Sequence, residues 1–228
     1  MTRPAASGPG HRDGAVPVAP RMLDELAGHE LPRDDLVDEA ELTGLGYEGA
    51  DLSGRDVASA VVRRSRFRGC TLGPGTFGRV SLVDCELQGC DLANLQARSS
   101  SLTRVAVTGC RLTGLSWAGG WCRDVRWDSC RADLVSFRFT RFLAAAFVEC
   151  DLRQADFQEA DLSGITFTDC DLSGAQFSGA TTTGTRFSGC TLIGISGVQS
   201  LRGAVVDSRD IVDLGYSLAC ALGILVEE

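Results

Sequence analysis

The chain has 228 residues, of which 44% are hydrophobic, and it carries 22 basic and 30 acidic side chains for a formal net charge of −8. This length and apolar content suit one domain with a real core, and the acidic balance argues against a broad basic surface for nucleic acid. Because no apolar run reaches the roughly 18 residues of a membrane-spanning helix, we predict no membrane segment.

The first two segments of the chain differ from everything that follows. Residues 1–20 contain four prolines and lack the apolar run of a signal peptide, which predicts a disordered tail. We expect residues 21–39 to form short helices that cap the next region, because natural proteins cover the open end of a sheet.

A five-residue period begins at Ala40 and continues to Gly194 through thirty-one pentads without an insertion or deletion. The first and third residues of each pentad are small or apolar, as in Cys150-Asp-Leu152. Of the 33 charged residues in this stretch, only Arg55 falls on these two registers. An unpaired buried charge costs several kcal/mol, so the pattern predicts that the first and third residues point inward.

A period of five fits neither a helix nor a flat strand, and fixed self-similarity is typical of a solenoid. Four pentads make one coil of twenty residues, which predicts an all-β solenoid: a quadrilateral β-helix of about eight coils with a short C-terminal α-helix. Cysteines recur at the same spacing of twenty. The predicted structural core includes Cys70, Cys90, Cys110, Cys130, Cys150, Cys170, Cys190, Leu92, Leu152, Leu172, Phe157 and Phe167.

We predict that these thiols are reduced and pack as small hydrophobic groups, because side chains stacked in parallel have poor geometry for a disulfide. Reduced thiols are typical of a cytoplasmic protein. The sequence has no C-x-x-C pair and no histidine within the coil, so we expect neither a metal site nor a cofactor.

The C-terminal region contains a predicted last strand near Ala204 and then a helix, which Asp207 or Ser208 can cap and Gly223 can end. The helix either caps the coil, or caps it and also forms a homodimer contact. Its apolar face is predicted to consist of Ile211, Leu214, Leu218 and Leu222. The predicted regions are therefore 1–20 (tail), 21–39 (cap), 40–200 (β-helix) and 201–228 (last strand and helix).

The pentads resemble the motif A-(D/N)-L-x-x of the pentapeptide-repeat family, as in Ala160-Asp-Leu162 and Cys170-Asp-Leu172. The resemblance implies a right-handed β-helix. It also implies that such a rod can imitate duplex DNA in size and charge, bind DNA gyrase and protect it from quinolones. The uninterrupted register is similar to that of the mycobacterial quinolone-resistance type, which implies dimers through the C-terminal helix.

Acidic residues concentrate in the later coils, whereas Arg63, Arg64, Arg66 and Arg68 form a basic patch near the start. One interpretation is a solvated face; the other is a surface that imitates phosphates and binds DNA gyrase or another nucleic-acid-binding protein. Four arginines are too few to predict direct binding of nucleic acid. The candidate partner-binding residues are Glu149, Asp151, Asp156, Glu159, Asp161, Asp169 and Asp171.

Catalysis has little support in the sequence. Both histidines, His11 and His29, lie outside the coil, and no nucleophile has a base at a recognisable spacing. We therefore predict a non-enzymatic binding protein, with a structural or scaffolding module for an unrelated partner as the alternative. Trp121, at an outward position, is the aromatic residue that we expect to be exposed.

Overall fold

The computed structural model describes residues 15–225, which form a single solenoid with one α-helix at its C-terminal end. Most of the predicted disordered tail, residues 1–14, lies outside the described residues. The strands are β1 Ala27–Gly28, β2 Ala40–Thr43, β3 Leu45–Glu48, β4 Asp56–Val57, β5 Ala60–Arg63, β6 Arg66–Arg68, β7 Gly75–Gly78, β8 Val80–Gln88, β9 Leu95–Arg98, β10 Ser101–Thr108, β11 Trp121–Asp128, β12 Arg141–Val148, β13 Thr166–Thr168, β14 Arg186–Ser188 and β15 Val205–Val206. Two 3₁₀ turns, Val198–Leu201 and Ser208–Asp210, precede the helix α1, Ile211–Ala221.

Every strand pair is parallel, and within the repeats the partners lie twenty residues apart, as in Ser81, Ser101, Trp121 and Arg141. The predicted all-β solenoid with a C-terminal helix is therefore confirmed. Following the pairings from β1 to β15 gives nine turns rather than about eight. The extra turn comes from the two ends, where the pairings step by 18 residues (Ala27 to Leu45) and by 19 (Arg186 to Val205) and the pentad pattern is no longer visible.

Each coil has four sides, and the fifth residue of a pentad turns the corner in the left-handed region of the backbone. Glycine adopts this conformation without strain, as at Gly109 with φ 61°. Several corners carry other residues at the same angle, including Asp84 (φ 55°) and Asp124 (φ 55°). A side chain at a left-handed corner costs about 1–2 kcal/mol, so its own contacts have to offset that cost.

The interior consists of the first and third residues of the pentads, as predicted. All of these positions are buried except Ala40, Arg55 and Gly75, which are half-buried. Large rings stack on one another from coil to coil: the centroids of Trp127 and Phe147 lie 4.4 Å apart with the rings nearly parallel. This ladder continues through Phe167 and Phe187 at 5.1 Å per step.

The N-terminal end of the coil is covered by strand and turn rather than by the short helices that we expected for residues 21–39. Strand β1 adds a two-residue edge to β3, and Leu36 closes the interior. The Tyr47 hydroxyl donates a hydrogen bond to the carbonyl of Asp34 at 2.7 Å. Asp35 lies twenty residues before Arg55 and accepts its guanidinium at 3.0 Å, which explains the one charge found on an inward register.

The C-terminal end is covered by α1 through polar as well as apolar groups. Leu214 is buried against the last coil, and the Ser217 hydroxyl donates to the carbonyl of Leu192 at 2.8 Å. Just before the helix, Asp210 accepts the backbone N–H of Cys190 at 2.9 Å. The open edge of the last coil is thus satisfied by side chains, as buried backbone groups require.

All ten cysteines lie in the described part of the chain as free thiols, nine of them buried, with Cys220 exposed. Thiols of the inner column donate to carbonyls of the preceding coil, as Cys90 does to Phe67 at 3.4 Å. Burial raises the pKa of Cys85 to about 12. All nine inner thiols are shielded from reagents by burial while the coil is folded.

A thiol-specific reagent such as 5,5′-dithiobis(2-nitrobenzoate) is expected to modify only Cys220 rapidly in the native protein, and all ten thiols after unfolding in guanidinium chloride. The absorbance of the nitrothiobenzoate that the reagent releases gives the number of modified thiols in the native protein and in the unfolded protein. The Cys220→Ser protein serves as the control and should show no rapid phase. Two or more rapid native thiols would contradict a sealed interior.

Candidate protein-binding surface

Four of the predicted acidic residues come together at one corner of the later coils. Glu149 and Asp169 occupy the same fifth position on consecutive coils, with φ 51° and 52°. Asp151 and Asp171 follow on the adjoining side and are joined by a parallel bridge. We call these four residues the acidic corner.

One arginine partly neutralises the acidic corner. Arg153 donates to Asp151 at 2.6 Å and lies 3.9 Å from Asp171. Its hydrogen bonds hold the pKa of the Asp151 carboxyl below its ordinary value. Glu149 accepts only a neutral contact at 3.3 Å among its described side-chain bonds, from the Ser129 hydroxyl. The four carboxylates and Arg153 together carry a net charge of −3, and Arg131 lies beside Asp151 on the preceding coil.

The other three predicted acids lie on different sides of the solenoid. Asp156 is on the next side, where it accepts Arg138 at 3.1 Å. Glu159 is at the following corner, and Asp161 is on the side beyond it, where it accepts the Ser163 hydroxyl at 2.7 Å. A flat partner that covers the acidic corner would therefore not reach all seven residues at once.

Two of the four arginines in the predicted basic patch are paired with acids on neighbouring coils. Arg66 contacts Glu86 at 2.7 Å, and Arg68 contacts Glu48 at 3.3 Å. These pairs follow the twenty-residue spacing, which stacks unlike charges in one column. Among the described residues, Arg63 and Arg64 have no acid within ion-pair distance, so half of the patch keeps its basic charge.

An exposed apolar group lies on the middle coils, and we call it the aromatic patch: Trp121, Phe139 and Leu143. Their exposed fractions are 43%, 56% and 54%. Arg123 lies over the Trp121 ring at 5.1 Å from its centroid, and Arg138 lies over Phe139 at 5.6 Å. The sequence predicted exposure of Trp121 but missed its two neighbours, although an apolar residue on an outward register is a readable signal.

Helix α1 presents two different faces. Of the residues predicted to form its apolar face, Leu214 is buried against the coil, whereas Ile211, Leu218 and Leu222 are exposed. The inward stripe instead combines Leu214 with the polar residues Asp210 and Ser217. The side turned away from the coil carries a shallow groove, which we call the outer face of α1, lined by Val212, Gly215, Tyr216 and Ala219.

Metal-binding clusters and membrane-spanning helices are both absent from residues 15–225. Within that range, no group of three or more His, Cys, Asp or Glu side chains is arranged to hold a metal ion. No helix in the same range has the length and apolarity that crossing a bilayer requires.

A four-sided parallel coil of twenty residues with an apolar interior defines the class of β-solenoid repeat proteins. Residues 121–196 match the family model described as the pentapeptide repeat region, and the same pentad register continues towards the N-terminus. This region of the chain is therefore a pentapeptide repeat. No curated protein matches its sequence.

Solved structures of three other repeat proteins are similar to this chain. HetL, involved in heterocyst differentiation regulation in the cyanobacterium Nostoc, is 18% identical, with 75% of this chain and 91% of HetL covered and a TM-score of 0.29. QnrB1, a plasmid-mediated fluoroquinolone resistance protein, is 17% identical over 84% of this chain and 99% of its own, with a TM-score of 0.38. Rfr23 from the cyanobacterium Cyanothece is 12% identical over 73% and 91%, with a TM-score of 0.24.

Proposed function

We propose that this chain is a non-enzymatic binding protein of the cytoplasm whose acidic corner docks in the DNA-binding groove of DNA gyrase. The observation that carries the proposal is the grouping of Glu149, Asp151, Asp169 and Asp171 on two neighbouring coils. These carboxylates stand on a rigid scaffold, so little conformational entropy is lost when they meet a basic surface.

The spacing of the carboxylates supports competition with duplex DNA. With a net charge of −3 after pairing with Arg153 and two coils of about 4.8 Å each, the acidic corner carries about one net negative charge per 3.2 Å of its axis. Duplex DNA carries about one per 1.7 Å. Over this short length, the corner offers about half the charge density of the duplex to a DNA-binding groove, and the solenoid would displace the duplex or a drug bound beside it.

We further propose that the protein forms a two-fold dimer through α1. The outer face of the helix is apolar, and Val212 and Tyr216 on it are both exposed. Burying such a face is favourable, at about 25 cal/mol per Å² of apolar surface. Because the acidic corner lies in the later coils, a dimer through this end brings two acidic corners to either side of the junction.

The test is a charge reversal with a matched control. Asp151→Lys/Asp171→Lys is expected to raise the protein concentration needed to alter gyrase supercoiling, or to rescue it from a quinolone, by at least about tenfold. Asp51→Lys/Asp91→Lys changes the same register at the other end of the rod and should leave the effect intact. Supercoiling assays measure the effect, thermal unfolding checks the fold, and light scattering on the same samples gives the mass.

The absence of any effect of the native protein on gyrase at micromolar concentration would end this proposal. Equal loss of the effect in both double variants would also contradict a specific role for the acidic corner. A mass of one chain at these concentrations would remove the dimer alone.

The aromatic patch supports a second candidate function, a scaffolding module for an unrelated protein partner. Exposed Trp flanked by Arg is the composition of energetic centres in protein interfaces, and Trp121 with Arg123 matches it. A partner bound there would not depend on Asp151 or Asp171, so the charge-reversal protein distinguishes the two functions.

A further inference from the structure

Residues 15–26 form an irregular segment, which we call the strap, that lies along one corner of the solenoid and bends at Asp24 and Glu25. It belongs to no helix or strand, and it passes from the coil of Asp124 to the coil of Gly44, opposite to the direction in which the coil grows. At its lower end, Leu23 packs over Gly44, and the chain then enters β1. Residues 15–20, which we predicted to be disordered, are thus held against the coil.

Two backbone N–H groups of the strap are received by carboxylates of the corner. The N–H of Val18 donates to Asp124 at 3.1 Å, and that of Arg21 donates to Asp84 at 2.9 Å. The acceptors are two coils apart, or about 9.6 Å. The donors are three residues apart, or about 9.3 Å in a polyproline II conformation. The two spacings therefore coincide.

The composition of the strap favours this conformation. Pro17 and Pro20 each stand directly before a donating residue, and proline fixes φ near the value that polyproline II needs. Because polyproline II has three residues per turn, Val18 and Arg21 present the same side to the corner. A segment of this kind loses little entropy when it docks.

The corner under the strap carries charged side chains that can accept and orient such a ligand. Where the strap lies, the left-handed positions carry alternating charges, Arg64, Asp84, Arg104 and Asp124, in place of glycine. Asp84 is only 5% exposed, and Arg104 holds it with two hydrogen bonds of 2.6 and 2.7 Å. The remaining acceptor capacity of this buried carboxylate is directed at the strap.

We propose that the corner formed by Arg64, Asp84, Arg104 and Asp124 is a binding site for extended, proline-spaced peptide segments, with the strap as its resident and displaceable ligand. The ligand is defined by two backbone N–H donors three residues apart, each preceded by proline. This site is separate from the acidic corner. While the strap is bound, it prevents other peptide segments from binding there.

The test removes the two donors without disturbing the conformation of the strap. Val18→Pro/Arg21→Pro in the full chain eliminates both N–H groups but keeps φ near its polyproline II value, whereas Ala19→Pro keeps both donors and serves as the control. A labelled peptide with the sequence of residues 15–26 is expected to bind the double variant at least about tenfold more tightly than the native or control protein, because a tethered competitor has been lost. Fluorescence anisotropy measures the affinity.

A second arm examines the peptide and the native strap. The same peptide with proline at both donor positions should lose at least about tenfold in affinity, and the Val18 and Arg21 amides of the native protein should exchange hydrogen more slowly than in the free peptide. Equal peptide binding to all three proteins, or amide exchange as fast as in the free peptide, would overturn the proposal. A third outcome would also contradict the proposal. If the native protein is a dimer in solution and the double variant is a monomer, the strap binds the corner of a second chain rather than that of its own chain.

Discussion

Replacement of Leu152 by Asp is expected to unfold the solenoid at room temperature. Leu152 is fully buried in a column with Leu172 above it and Ala132 below it, and its backbone N–H donates to the carbonyl of Asp171 on the next coil at 2.8 Å. A carboxylate there has no described basic partner within the column, and an uncompensated buried charge costs several kcal/mol. Loss of the leucine packing adds about 2–5 kcal/mol, so the sum approaches the whole stability of a typical domain.

Circular dichroism and thermal unfolding measure this result, and Leu134→Asp provides the matched control. Leu134 is an exposed leucine at a corner, so the same change there should alter the free energy of unfolding by no more than about 0.5 kcal/mol. A Leu152→Asp protein with a cooperative transition close to that of the native protein would contradict a dry, continuous interior.

Phe157→Ala is expected to lower the free energy of unfolding by about 3–5 kcal/mol. The ring is fully buried and lies between Phe137 at 5.7 Å and Phe177 at 5.4 Å. Its removal leaves a cavity that the rigid coils above and below cannot close. For a chain of this size, the midpoint of thermal unfolding should fall by about 6–20 °C.

Phe139→Ala removes the same ring from the aromatic patch and is the control for this change. Because Phe139 is exposed, its replacement should shift the free energy of unfolding by no more than about 0.5 kcal/mol. Similar losses at both positions would show that the stacked rings contribute no more than surface contacts. Denaturant unfolding with a comparison of m-values measures the difference.

The pentad register was sufficient to predict the coil and its interior, because each inward position is decided by its own residue type. Cys150 and Leu152 could be placed from the period alone, and so could the stacking of Asp151 on Asp171. Arg55 could not be explained in this way, since its partner Asp35 lies in the cap, where the register is absent. The period therefore predicts the middle of the molecule better than its ends.

The ends depend on contacts that no local pattern contains. The acceptors of the strap lie 63 and 106 residues from their donors, so its proline content alone suggested disorder. In α1, an apolar stripe was predicted to face the coil. The coil edge instead offers bare N–H and C=O groups, and Ser217 and Asp210 bind them. Hydrophobic periodicity carries no information about such polar matching.

The covering of both ends of the solenoid has a consequence for the self-association of the protein at high concentration. Parallel stacking at about 4.8 Å is the geometry in which fibres grow, and each coil is in principle a template for the next. Here β1 occupies one terminus, and Ser217 with Asp210 occupies the other. These contacts cover the edge of the sheet at each end and so prevent end-to-end pairing of solenoids. The segments that cover the ends, and not the repeat itself, therefore stop the sheet from growing.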